Sequence, residues 1–199
     1  MKDNTLQKRI LGNRHACSEE PKPMEFEGIP FEVIRRRVKY SRVEFKTPGL
    51  RVIVPRGISP LKVLEDNKHS ILKKYYKLIY QMETARKIPM TDWTEEEFNT
   101  IVSGYVARYC KQLKVKTPTI KFRKMKRRWG SCRSSGIITL NVFLQFVPEH
   151  LIAYIIYHEL AHMIVRGHNR KFKAIIAKEF PNYRQLDKKL NLYGLKLLS

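Results

Sequence analysis

Cysteine is scarce and unpatterned in this 199-residue chain: Cys17, Cys110 and Cys132 make 3, an odd number without C-x-x-C spacing. That excludes a disulfide framework and a cysteine-based zinc ribbon, and leaves reduced thiols. Long apolar runs are missing too. The longest, Leu151 to Tyr157, falls far short of the roughly 20 residues that span a bilayer, so membrane insertion is not expected. Lys2, Lys8 and Arg9 near the start have no apolar stretch behind them, so no secretory leader is expected and a cytoplasmic location is the default. Acidic residues are few: 18 Asp and Glu stand against 40 Lys and Arg, a formal charge of +22. Such an imbalance favours phosphate-bearing partners, namely nucleic acid, nucleotides or an anionic surface, unless it serves only as a solvated face. The chain is still 43% hydrophobic and 11% aromatic, enough to bury a core and to exclude a wholly disordered basic polypeptide.

Residues 1–28 show mixed charge, Pro21, Pro23 and no periodicity, and read as an N-terminal arm. From Ile29, apolar residues alternate with basic ones through Phe45, and the apolar segment Leu50 to Pro55 follows Thr47-Pro48-Gly49. Two or three antiparallel strands in a hairpin-rich region are expected there. Ser59-Pro60 supplies an N-cap and a first-turn proline for a basic helix or pair of helices ending before Pro89. A β-rich subdomain with its basic helix is thus expected over residues 29–90, and a second domain over 91–199. Thr94 and Glu97 fit a capping box for a helix from Glu95 to about Lys114. Strands around a loop follow, at Thr119 to Phe122 and Ile137 to Phe143. A buried helix is expected from about Pro148 to Arg166, stopped by Gly167. Asn169 then caps a helix through Glu179, and a last helix takes Tyr183 to about Leu190.

The chemistry concentrates in His158-Glu159-Leu160-Ala161-His162. Residues i and i+4 lie above one another on a helix, so His158 and His162 can offer two imidazoles to one metal ion. Glu159 sits about 100° round the helix from His158, where it can take a proton from an attacking water instead of binding the metal. A catalytic zinc needs a third protein ligand and an open position. His168 is one candidate, because Gly167 lets the chain turn back; Glu179 on the following helix is the other.

Several segments together resemble the YgjP-like metallopeptidase family: Arg128-Trp129-Gly130-Ser131-Cys132, Ile138-Thr139-Leu140-Asn141, Pro148, the HExxH segment, and His168 followed by Phe172. The similarity reaches upstream to Val52-Ile53-Val54-Pro55 and Phe31. The resemblance implies an α+β, zincin-like fold whose active-site helix carries HExxH, with Zn2+ held by His158, His162 and His168 and with Glu159 as general base. Asn169 and Lys173 replace the serine and tryptophan usual in the family, which bears on substrate preference. A peptide or protein is the substrate so implied. The family is also associated with nucleoside triphosphate (UTP) pyrophosphatase activity, and related WLM-type and SprT-like proteases act on DNA-bound proteins.

Two further groups of residues are expected near the substrate. The basic run from Lys121 to Arg133 can bring Arg127 or Arg128 to developing negative charge, if it is not simply solvated. The strand Ile137 to Asn141, if it lies at a sheet edge, can hold an extended peptide through the backbone around Thr139 and Asn141. Trp129 is read as a packing anchor, and Cys132 as a small buried residue beside the turn.

Overall fold

The computed structural model describes residues 24–46 and 48–197. They form two units that divide between Tyr75 and Tyr76. No helix among the described residues is long and apolar enough to cross a membrane.

The first unit is built on a four-stranded sheet of β1 (Met24–Phe26), β2 (Ile29–Arg35), β3 (Arg42–Lys46) and β4 (Gly49–Val54), in the order β1-β2-β4-β3. Met24–Phe26 belonged to the expected arm, yet they pair antiparallel with β2 across Glu27 and Gly28, both at positive φ. The remainder of that arm lies outside the described residues. The all-antiparallel expectation is corrected in one respect: β2 and β4 run parallel, with Phe31 opposite Leu50 and Arg35 opposite Val54. The cause is burial. Leu50, Val52, Ile53 and Val54 are all buried, so β4 needs a neighbour on each side. The connection from Arg36 to Ser41 therefore carries β3 past it to the outer edge, where β3 and β4 pair antiparallel. Helix α1 (Pro60–Asp66) starts as expected, with the Ser59 hydroxyl accepting from the Lys62 N–H, and Leu64 joins Val52 and Val54 in the core. Helix α2 (Lys68–Lys87) follows and carries the chain across the division.

The second unit is an α+β body around one buried helix. Helix α3 (Glu95–Leu113) begins at the expected capping box, with Thr94 and Glu97 bonding reciprocally. Strands β5 (Thr119–Arg123), β6 (Gly130–Cys132) and β7 (Ile137–Asn141) form a sheet in the order β5-β7-β6, with β5 and β7 parallel and β6 and β7 antiparallel. A 3-10 helix, Val142–Phe146, leads to α4 (Glu149–Ala161), and α5 (Arg170–Glu179) and α6 (Tyr183–Leu197) complete the chain. Helix α4 is apolar all round, which places it in the interior rather than on the surface. Leu151, Ile152, Tyr154, Ile156, Tyr157 and Leu160 are each 1% exposed or less. They pack with Val102, Val106 and Tyr109 of α3, Phe172 and Ile176 of α5, and Leu186 and Leu190 of α6.

Two helix ends differ from expectation. Helix α4 stops at Ala161 rather than near Arg166, because Met163, Ile164 and Val165 present no continuous buried stripe and Ile164 is 48% exposed. The chain instead tightens, with the Met163 N–H donating to the Leu160 carbonyl and the Ile164 N–H to Ala161. Helix α6 continues past Leu190 to Leu197, because Tyr193 is also buried against the core.

Candidate metal centre

The last turn of α4 brings three imidazoles together. His158 lies on the helix and His162 caps its C-terminus in right-handed conformation, so the i, i+4 spacing survives although the helix ends between them. The tightened chain then reverses at Gly167, whose φ of 77° belongs to the left-handed region. That reversal returns His168 to the other two. One nitrogen from each of His158, His162 and His168 lies within 4.8 Å of the others. The Nε2 atoms of His158 and His168 are 3.0 Å apart. The phenyl ring of Phe172, one turn into α5, stacks on His162 at 4.4 Å between centroids and seats all three rings.

The nitrogen chemistry of this cluster fits a borderline divalent cation such as zinc. Burial and the neighbouring imidazoles hold His158 down at about 4, and burial also lowers His162, so both rings are neutral, the form that ligates. His162 Nδ1 lies 3.3 Å from the Val165 carbonyl. Donation from Nδ1 to that oxygen leaves Nε2 as a lone-pair donor. The Nδ1 atom of His158 is buried without a hydrogen-bond partner among the described residues. Among those residues this is the one group of three or more ligand-type side chains that converges in this way.

Glu159 points into the same cleft. It is 5% exposed, and burial pushes its carboxyl up to about 7, against the pull of the Arg128 guanidinium. Its space is created from across the cleft by β6: a Cβ built at Gly130 would lie 2.6 Å from Glu159 Oε1 and 2.7 Å from Cγ. The cleft has a volume of about 890 Å³ and runs between β6, the end of α4, the turn at Arg166 and Gly167, and α6.

The structure sorts the other expected residues. Arg128 lines the cleft, whereas Arg127 is exposed outside its lining. The expected edge strand is corrected: β7 is the central strand of its sheet. Thr139 stands opposite Lys121 on one side and Ser131 on the other, so its backbone faces strand neighbours on both sides. The free edge near the cleft belongs to β6. Asn141 is likewise a structural residue. It is fully buried, its Nδ2 donates to the Met125 and Arg128 carbonyls, and its Oδ1 accepts from the Phe143 N–H. Glu179 is held by Gln112 at 2.6 Å and Arg108 at 3.3 Å, apart from the imidazoles. Trp129 donates its indole N–H to the Leu190 carbonyl, consistent with an anchor. Burial raises the Cys132 thiol and keeps it protonated.

The family model described as the YgjP-like metallopeptidase domain matches residues 42–193. The chain belongs to that family. Among solved structures, the metallopeptidase zymogen abylysin of Pyrococcus abyssi is similar at 24% identity, with a TM-score of 0.41, covering 45% of this chain and 90% of its own. Jannalysin of Methanocaldococcus jannaschii, also a metallopeptidase zymogen, is similar at 23% identity and a TM-score of 0.40, covering 46% of this chain and 86% of its own. No curated protein matches the sequence.

For this YgjP-like chain, sequence reasoning missed Gly130, Arg166 and Asp187 as cleft residues, and Arg133 was visible only as one member of a charged run. Gly130 carried a signal, since a glycine beside a tryptophan in a short strand often marks close approach by another group. Nothing local marks Asp187, which accepts the Tyr154 hydroxyl at 2.6 Å from a different helix.

Proposed function

We propose that this chain is a zinc-dependent peptidase in which His158, His162 and His168 hold the metal and Glu159 is the general base. The observation that carries the reading is the convergence of three imidazole nitrogens within 4.8 Å beside a buried carboxylate in one cleft. A zinc ion bound there supplies Lewis acidity and lowers the pKa of water to about 7. Glu159 accepts a proton from the attacking water and passes it to the amine of the departing peptide. Its burial beside the three imidazoles places the carboxylate within the cleft where that proton is exchanged. Arg128, whose charge already acts on Glu159, favours the ionised base. The free edge of β6 offers backbone groups to an extended substrate chain, a role the sequence had suggested for β7.

The test couples metal content to activity. Purified protein is expected to carry about one zinc per chain by elemental analysis and to cleave members of a mixed peptide library. Glu159→Gln should keep the metal and lose about 10² to 10⁴ in kcat. A metal-free protein, or an unchanged rate in Glu159→Gln, overturns the reading. Three arginines lining the cleft, Arg128, Arg133 and Arg166, are the observation favouring the second reading, nucleoside triphosphate hydrolysis. Metal-dependent pyrophosphate release from UTP measures that activity directly.

A further inference from the structure

The cleft carries positive charge beyond the Arg128 guanidinium that acts on Glu159. Arg128 precedes β6, Arg133 follows it, and Arg166 sits in the reversal between α4 and α5; all three are exposed and line the same cavity. None forms an ion pair with a carboxylate among the described residues, whereas Arg42, Arg51 and Arg108 do. The lining includes two acidic side chains, Glu159 and Asp187. Glu159 is buried at the metal centre, and Asp187 already accepts the Tyr154 hydroxyl. Among the described residues, Arg133 and Arg166 are thus left in the cleft lining without a carboxylate partner.

Resting on the peptidase reading, we propose that this cleft selects peptides bearing aspartate or glutamate next to the bond to be cut, with Arg133 and Arg166 receiving the substrate carboxylates. Guanidinium groups suit that task because their planar fork can pair with a carboxylate through two hydrogen bonds. The free edge of β6 runs between Gly130 and Cys132, so an extended chain laid along it passes Arg133 at one end. Alternate side chains of such a strand point to the same face, which sets acidic residues against one rim of the cleft and leaves the backbone at the metal. A nucleotide base finds less there: the one tryptophan of the lining is tied by its N–H to Leu190 and half-buried.

The experiment uses the full-length protein and matched peptides carrying Glu, Gln or Lys on each side of the scissile bond. Exposed ion pairs are each worth about two- to fivefold, so Glu peptides are expected to exceed their Gln counterparts by about tenfold in kcat/KM. The advantage should shrink as salt rises from about 0.05 to 0.5 M. Arg133→Gln with Arg166→Gln should abolish the preference, bringing kcat/KM on Glu peptides down to that on their Gln counterparts. Lys111→Gln with Lys178→Gln, which removes the same charge outside the cleft, should leave it intact. Binding of the same peptides to the Glu159→Gln variant, followed by fluorescence anisotropy, separates the two proposals. If Glu peptides bind through Arg133 and Arg166 and nothing is cleaved, the peptidase reading fails and the charge selection stands. Cleavage or binding that is indifferent to charge overturns the selection. Tighter binding of a phosphoserine peptide or UTP than of the Glu peptide overturns the carboxylate assignment.

Discussion

Replacing Gly130 by alanine adds one methyl group where the cleft lining leaves no room for it. The new Cβ would lie 2.6 Å from Glu159 Oε1, 2.7 Å from Cγ and 2.8 Å from Cδ, where nonbonded carbon contacts settle at about 3.5 to 4.0 Å. Relief needs a displacement of about 1 Å, and it falls on the carboxylate, because all three of those nearest atoms belong to Glu159. A group misplaced by about 1 Å loses about 10² in rate. Gly130→Ala should therefore lower kcat about a hundredfold and leave zinc affinity within about twofold. Overpacking should cost the fold about 1 to 3 kcal/mol, visible as a lower unfolding midpoint. Steady-state kinetics on a cleaved peptide, elemental analysis and urea unfolding read the three quantities. Glu159→Asp removes the methylene that the methyl group meets, so Gly130→Ala should cost less in that background than in wild type, a coupling that a double-mutant cycle exposes. A folded Gly130→Ala protein with kcat within threefold of wild type refutes the reasoning, as does additivity in the cycle.

Removing metal with a chelator makes Glu159 a stability switch. Its folded carboxyl stands near 7 against a usual value of 4.5, so the stability it contributes is present below about pH 4.5 and is lost as pH rises to about 7. The 2.5-unit difference amounts to about 3 kcal/mol. His158, held down at about 4 from a usual 6.5, acts in the opposite sense, its contribution being present above about pH 6.5 and lost as pH falls to about 4. Metal-free Glu159→Gln should thus exceed metal-free wild type by about 3 kcal/mol at pH 8 and match it at pH 4; equal urea midpoints at pH 8 contradict this. His168→Ala should lower zinc affinity at least tenfold without lowering stability of the metal-free protein, because His168 is exposed and sits in a turn; unchanged zinc stoichiometry under competition with a chelator contradicts the assignment. Asn141→Ala should cost about 2 to 4 kcal/mol, since it empties a fully buried site and removes the amide that bonds the Met125 and Arg128 carbonyls; a normal unfolding midpoint with raised KM would restore the substrate role first given to this residue.

Much of the centre was legible because its geometry is local. The His158 to His162 spacing, the caps at Ser59, Thr94 and Asn169, and the apolar run of α4 each depend on neighbours within a turn or two of helix. A helical period of 3.6 residues can be read from residue order alone, and so can an N-cap whose side chain bonds the backbone three residues on. His168 lay at the limit of that reach, since its arrival depends on a single reversal at Gly167.

What residue order did not contain was the choice of distant neighbours. Strand pairing is decided by which apolar faces must be covered from both sides, so the central places of β4 and β7 and the free edge of β6 emerged only when the sheets assembled. Glu179 stayed a competitor to His168 in the sequence until α3 supplied Arg108 and Gln112 to hold it elsewhere. Arg127 and Arg128 are adjacent and chemically identical, yet only Arg128 lines the cleft. The net charge of +22 is a property of composition, whereas the location of its unneutralised part is a property of packing. Coulomb energy depends on distance and on the surrounding dielectric, and folding sets both.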